Sequence, residues 1–295
     1  MLDPMYIYIA LAVTLAVSMY VDLKGHSDKV MSLTVATLWS VGYVLMGVAF
    51  GGFIYTFYGS EMASLYYAGY ALEKALSVDN LLVFTAIFSY FGIKSQTLQH
   101  KILTWGILGA IVFRGLFVAA GTWVVNLHWS AMLVFAAIIA LSAWGMMGDD
   151  DDVDLEKSKV VNFLKRIFPV TATQVGDKFF LGKMVTPAFL ALMTVELMDV
   201  VFAFDSVPAI FAVTSETVLV YSAMIMAILG LRAMYFVLQA LLSKLPHLKT
   251  AVVGLLFLVA AKLVAGVFGY HIDPNVSLGI VLSILALGCI PFKKA

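Results

Sequence analysis

The sequence predicts an all-α fold, a polytopic transmembrane bundle of nine helices built around two inverted three-helix repeats. Three observations predict it. Hydrophobic residues fill 62% of the 295 positions and charged residues 12%, about half the charged share of a soluble domain. Nine apolar runs are long enough to cross about 30 Å of hydrocarbon as helices. The basic residues outside those runs fall only in alternate loops.

The runs lie near residues 5–22, 32–56, 63–91, 102–123, 130–147, 186–213, 217–241, 249–270 and 276–292. The first carries Asp3 where a signal peptide has a basic n-region, and its lysine, Lys24, comes after the apolar stretch, so it is expected to be a retained span. The ends of the second are blurred by Gly51, Gly52 and Tyr58. Between the fifth and sixth runs lies one long loop, 148–185, holding the acidic run Asp149 to Asp152 and then KVVNFLKRIFP, whose apolar spacing predicts a short helix on the membrane surface.

Sidedness follows from the lysines and arginines, which concentrate in cytoplasmic loops. Lys24, Lys29, Lys94, Lys101, the six basic residues of 157–183, Lys244, Lys249, Lys293 and Lys294 all follow odd-numbered runs, and the loops after even-numbered runs contain none. This predicts the N-terminus outside and the C-terminus in the cytoplasm. Zero formal charge leaves no global field to attract nucleic acid. Cys289 is the one cysteine and has no partner for a disulfide or a thiolate site.

Away from the run ends, nine ionisable residues remain inside the runs: Glu73, Lys74, Asp79, Arg114, Glu196, Asp199, Asp205, Arg232 and Lys262. Unpaired, they would cost about 3 kcal/mol each, roughly 27 kcal/mol together, more than a typical protein's net stability of about 5–15 kcal/mol. Five are acids and four are bases. Lys74, Arg114, Arg232 and Lys262 are expected to balance charge, and the surplus carboxylate needs a proton or a cation.

The acids repeat. In ALEKALSVDNLLVF, Glu73 stands six residues before Asp79, which precedes Asn80; in ELMDVVFAFDSVPAIF, Asp199 stands six before Asp205, which precedes Ser206. Each pair is followed in the next run by one arginine, Arg114 or Arg232. The copies lie three runs apart and therefore point in opposite directions, the inverted design of secondary transporters. The repeats are residues 63–147 and 186–270, joined by the loop. Glu73 and Asp199 are expected to meet near the midplane. Six residues turn a helix through about 240°, so both acids of one copy reach a single cavity only where the helix unwinds, with Pro208 and the Ser-x-Asp-Asn or Asp-Ser-x-Pro sequences as the expected places. Glu196, one turn before Asp199, has Tyr70 in its place in the first copy.

Carboxylates with Ser77, Asn80 and Ser206 suit hard or borderline cations such as manganese, calcium or magnesium. All five histidines (His26, His100, His128, His247, His271) fall in loops or at run ends, and the 15 methionines are scattered, so zinc and copper routes lack their usual ligands. No HExxH or Gly-x-Gly-Asp signature marks a hydrolase.

EKALSVDN and ELMDVVFAFDSVPAI, with the acidic loop between them, resemble the paired signatures of the TerC family of integral membrane proteins, with the nearest likeness to its Alx-type branch. The resemblance implies manganese export and metal-path roles for Glu73, Asp79, Asn80, Glu196, Asp199, Asp205 and Ser206. Manganese(II) is then cargo, with no prosthetic group, and protons are the natural counter-ion. The other readings are an assembly or insertion factor for membrane proteins, a role the resemblance extends to chloroplast relatives, and a passive cation channel.

Overall fold

The computed structural model describes residues 3–25, 32–127, 131–145, 159–171, 173–241, 248–270 and 272–288; within its helices the side chains of Asp79 and Asp205 are outside the description. The acidic run, Cys289, and the histidines at 26, 128, 247 and 271 also lie outside the described residues.

The described residues are all-α apart from one small hairpin. The helices are α1 (Met5–Gly25), α2 (Leu33–Tyr58), α3 (Ser60–Tyr90), α4 (Gln96–Leu127), α5 (Ala131–Gly145), α6 (Lys159–Ile167), α7 (Pro187–Val213), α8 (Thr217–Ile228), α9 (Leu231–Leu241), α10 (Leu248–Val267) and α11 (Pro274–Gly288). The hairpin pairs β1 (Phe180–Leu181) with β2 (Met184–Val185) around Gly182. Most helices are apolar on every side, which in water would leave no solvated face. Leu38, Leu45, Leu116, Trp123, Leu141 and Trp144 stand exposed on the outside, an exterior suited to lipid. Among the described residues α2, α4 and α7 are each long and apolar enough to cross a membrane, and the bent pair α8–α9 counts as a fourth if it is one span.

Helices α3, α7 and α8 form the centre. Leu72, Leu76, Val207, Ile210, Val220 and Met224 share one buried cluster there, while α1 and α2 cover the α3–α8 face through Ile7, Tyr43, Phe50 and Ile54. Neighbouring directions can be read from contacts. Gly106 lies against Val195 and Gly121 against Val207 and Phe211, so α4 and α7 run parallel. Gly69 lies against Ala223 and Lys74 reaches Ala227 and Leu229, so α3 and α8 also run parallel.

The long loop forms the expected short helix, α6, which buries Leu164 against Val185 and Leu190 and leaves Phe163 and Ile167 exposed. The hairpin after it carries no apolar periodicity long enough to be read from sequence.

Two expectations about backbone shape need correction. Both α3 and α7 remain continuous α-helices through 79 and through Pro208. Proline removes one helix hydrogen bond, but Val207, Ala209, Ile210 and Phe211 are all buried in tight packing that holds the turn. The break falls instead within the run read as one helix over 217–241: α8 and α9 meet at 47°. Leu229 leaves helical geometry and Gly230 has φ +81°, a left-handed conformation natural to glycine. A side chain at Gly230 would also collide with Tyr43, 2.6 Å from the position of a Cβ.

Candidate cation site

The site begins with register. On α3, Tyr70, Glu73, Ser77 and Asn80 are spaced by three, four and three residues, which keeps them on one face. On α7, Glu196, Asp199, Ala203 and Ser206 have the same spacing. All eight are buried. Residues 79 and 205, about 240° around the axis from Glu73 and Asp199 on uninterrupted helices, belong to a different face of each helix.

Arg114 on α4 joins the two faces. Its Nη1 contacts Glu73 Oε1; its Nη2 donates to Asp199 Oδ1 at 2.9 Å and its Nε to Asp199 Oδ2 at 3.1 Å. Planar two-point geometry of this kind is what guanidinium offers a carboxylate. The three side chains are 1%, 0% and 4% exposed as residues, so charges from α3, α4 and α7 meet away from water. One arginine thus serves two acids.

Glu196 adds a third carboxylate one turn from Asp199. A Cβ added at Gly109 would fall on its carboxyl group, so the glycine lets the mobile end of this side chain lie directly against the α4 backbone. Glu196 Oε2, Glu73 Oε2, Ser77 Oγ, Ser206 Oγ and Tyr70 OH are buried without a hydrogen-bond partner. Unpartnered buried oxygens cost free energy and call for an explanation; an oxygen-seeking cation supplies one.

A cavity of about 20 Å³ adjoins Asp199, walled by Gly106, Ala110, Val195, Leu231 and Arg232. That is room for one water or a single ion. Arg232 enters it from the first turn of α9 and donates to Thr104 Oγ1 at 3.0 Å.

The structure gives the other bases different tasks. Lys74, next to Glu73 in sequence, donates to the carbonyls of Ala227 at 2.8 Å and Leu229 at 3.2 Å, at the α8–α9 break. Lys262 donates to Ser277 Oγ at 3.2 Å. Arg114 forms ion pairs with Glu73 and with Asp199. Among the described residues, no three histidine, cysteine, aspartate or glutamate side chains come together as a ready metal cage. His100 departs from expectation: it is buried in α4 and stacks on Phe236 with ring centroids 4.7 Å apart, because α4 begins at Gln96, a turn and a half earlier than the apolar run suggests.

Sequence reasoning missed Gly109, Gly230 and the carbonyl partners of Lys74. Gly109 lies inside the unbroken α4 and Gly230 at the α8–α9 break, and the local sequence does not tell the two apart.

A helix bundle with a lipid-suited exterior and charged side chains gathered inside defines an integral membrane protein with an internal polar site. Residues 58–293 match the model of the integral membrane protein TerC family. The chain is 45% identical to the tellurium resistance protein TerC of Serratia marcescens, over 97% of this chain and 92% of that one. It is 36% identical to the chloroplastic thylakoid membrane protein TERC of Arabidopsis thaliana, over 94% and 74%, and 35% identical to the membrane-bound protein Alx of Salmonella typhi, over 94% and 90%. No solved structure matches. The chain belongs to the TerC family of integral membrane proteins.

Proposed function

We propose that this chain exports a divalent metal ion, manganese(II) in preference to softer metals, across the bacterial inner membrane in exchange for protons. The observation that carries the reading is the buried Glu73–Arg114–Asp199 bridge, with the ion-sized cavity and the unpartnered Glu196 carboxylate beside it. Oxygen donors without thiolate or imidazole favour hard cations. Two relatives are named for tellurium resistance, but a carboxylate site repels an oxyanion, so tellurium oxyanions are not the proposed cargo.

The proposed topology has nine spans, α1 to α5, α7, α8 with α9, α10 and α11, with the N-terminus outside and the C-terminus in the cytoplasm. The parallel pairs α4–α7 and α3–α8 support this alternation, since each joins spans of the same parity. The proposed repeats are α3–α5 and α7–α10, rocking about the bridge so that the site opens to one side at a time. Moving two charges outward costs about 4.6 kcal/mol per 100 mV, and proton entry can supply it because carboxylates exchange a metal for protons.

The test is cellular manganese under manganese load, with and without the protein. Lower cytoplasmic manganese in its presence supports export, and unchanged manganese rejects it. Asp79→Asn and Asp205→Asn should each abolish efflux while leaving the protein inserted; retained efflux in both would make those acids structural. A membrane-protein assembly factor would instead tolerate carboxylate loss and co-purify with client chains.

A further inference from the structure

We propose that Arg114 is a tethered counter-ion that competes with the transported dication for Glu73 and Asp199, and that its return to them is what lets the unloaded carrier reorient. The proposal rests on the export reading above. Three features lead to it.

The guanidinium occupies the space between the two acids. It takes both oxygens of Asp199 and one of Glu73, so a dication and Arg114 cannot hold these carboxylates together. Next, a charge removed from a buried pair needs another partner, since an uncompensated buried charge is strongly unfavourable. Glu196 is that partner. It stands one turn from Asp199, about 4.5 Å along the axis, with Oε2 buried and unpartnered, and it rests on α4 at Gly109, the helix that carries Arg114. Because α4 and α7 run parallel, a swing toward residue 109 carries the guanidinium from Asp199 toward Glu196 without leaving their interface. Finally, the bridge ties α3 to α7, the leading helices of the two proposed repeats. When Arg114 spans both acids, the repeats are held together by a neutralising charge that belongs to the protein; when a dication spans them, the cargo does this instead. With no dication, no arginine and no proton on them, two facing carboxylates repel in a dry interior and reorientation stalls.

This assigns Glu196 a purpose that the first repeat has no need for, where Tyr70 stands. Only one arginine has to be parked.

The experiment uses purified full-length protein in liposomes and radioactive manganese(II), comparing manganese–manganese exchange with net flux down a manganese gradient. Exchange needs only the loaded carrier, whereas net flux needs the unloaded one to return. For wild type both proceed. For Arg114→Gln the ratio of net flux to exchange should fall about tenfold or more, and apparent manganese affinity should rise about tenfold as the internal competitor is removed. Arg114→Lys, a point charge that cannot bridge two carboxylates in a plane, should give an intermediate ratio. The ratio does not depend on how much protein folds, and Arg114→Lys carries the test if Arg114→Gln does not reconstitute. Glu196→Gln should weaken manganese binding, because Arg114 then has nowhere to go. A wild-type ratio in both arginine variants overturns the proposal while leaving export intact. Absence of any manganese exchange in wild type overturns the export reading itself, and this proposal with it.

Discussion

Buried charge in this chain is organised by sharing. Arg114 holds Glu73 and Asp199 at once, so removing either acid leaves the arginine one partner and removing the arginine leaves two acids uncompensated. Asp199→Asn should therefore lower stability by roughly 3–5 kcal/mol, the cost of breaking a buried pair, and abolish transport. Thermal unfolding in detergent measures the first effect. The double change Asp199→Asn with Arg114→Gln should recover part of the loss; additive losses would mean that the two side chains are energetically independent. Gly109 is the second critical position. Gly109→Ala should push the Glu196 carboxyl, the mobile end of its side chain, away from α4, changing transport while folded yield stays near normal. A Gly109→Ala protein with normal yield and normal transport would contradict the close approach.

At the scale of elements, the α8–α9 break deserves comparison with the continuous helices beside it. A helix end exposes carbonyls that its own backbone cannot satisfy, and inside a membrane no water replaces them. Lys74 supplies the donors, and a cation at a helix C-terminus is further favoured by the dipole. The geometry also sets the direction of α9 and so brings Arg232 to the cavity beside Asp199. Lys74→Met should cost about 3 kcal/mol, from two charge-assisted bonds lost, and should speed amide hydrogen exchange selectively in the first turn of α9. Unchanged exchange there would show that the break is held by packing alone. Gly230→Ala should be harmful for two reasons, its φ of +81° and the contact with Tyr43; Tyr43→Ala relieves only the second, so rescue should be partial.

The proposed sidedness makes a prediction for the whole molecule. With Cys289 replaced by serine, a single cysteine at Ser95, in the loop after α3, should react with a membrane-impermeant thiol reagent only when the inner face is accessible. One at Ser215, between α7 and α8, should react from outside in intact spheroplasts. The reverse pattern, or both from one side, would refute the nine-span arrangement. The all-α, apolar character of the fold was legible in the linear pattern. Apolar length marked where helices form, and the short helix α6 was visible in its apolar spacing. The faces that Arg114 joins were not foreseen, since the acids were paired as Glu73 with Asp79 and Asp199 with Asp205, about 240° apart on uninterrupted helices. The bend at Gly230 and the burial of His100 were not foreseen either, because a glycine or histidine has the same local signal whether a neighbouring helix lies against it or not.

What the sequence determined alone is the class of molecule and an excess of acid within its apolar runs. Hydrophobic transfer and the placement of basic loops act residue by residue, so their sums survive without coordinates. Tertiary structure decided which charges meet. Arg114 finds Asp199 across 85 positions, Lys74 passes over the carboxylates for the carbonyls of a broken helix, and Glu196 fits against α4 through the absence of a side chain at Gly109. Such pairings depend on the relative rotation and direction of packed helices, to within an ångström or two, and no local property of the chain encodes that distance.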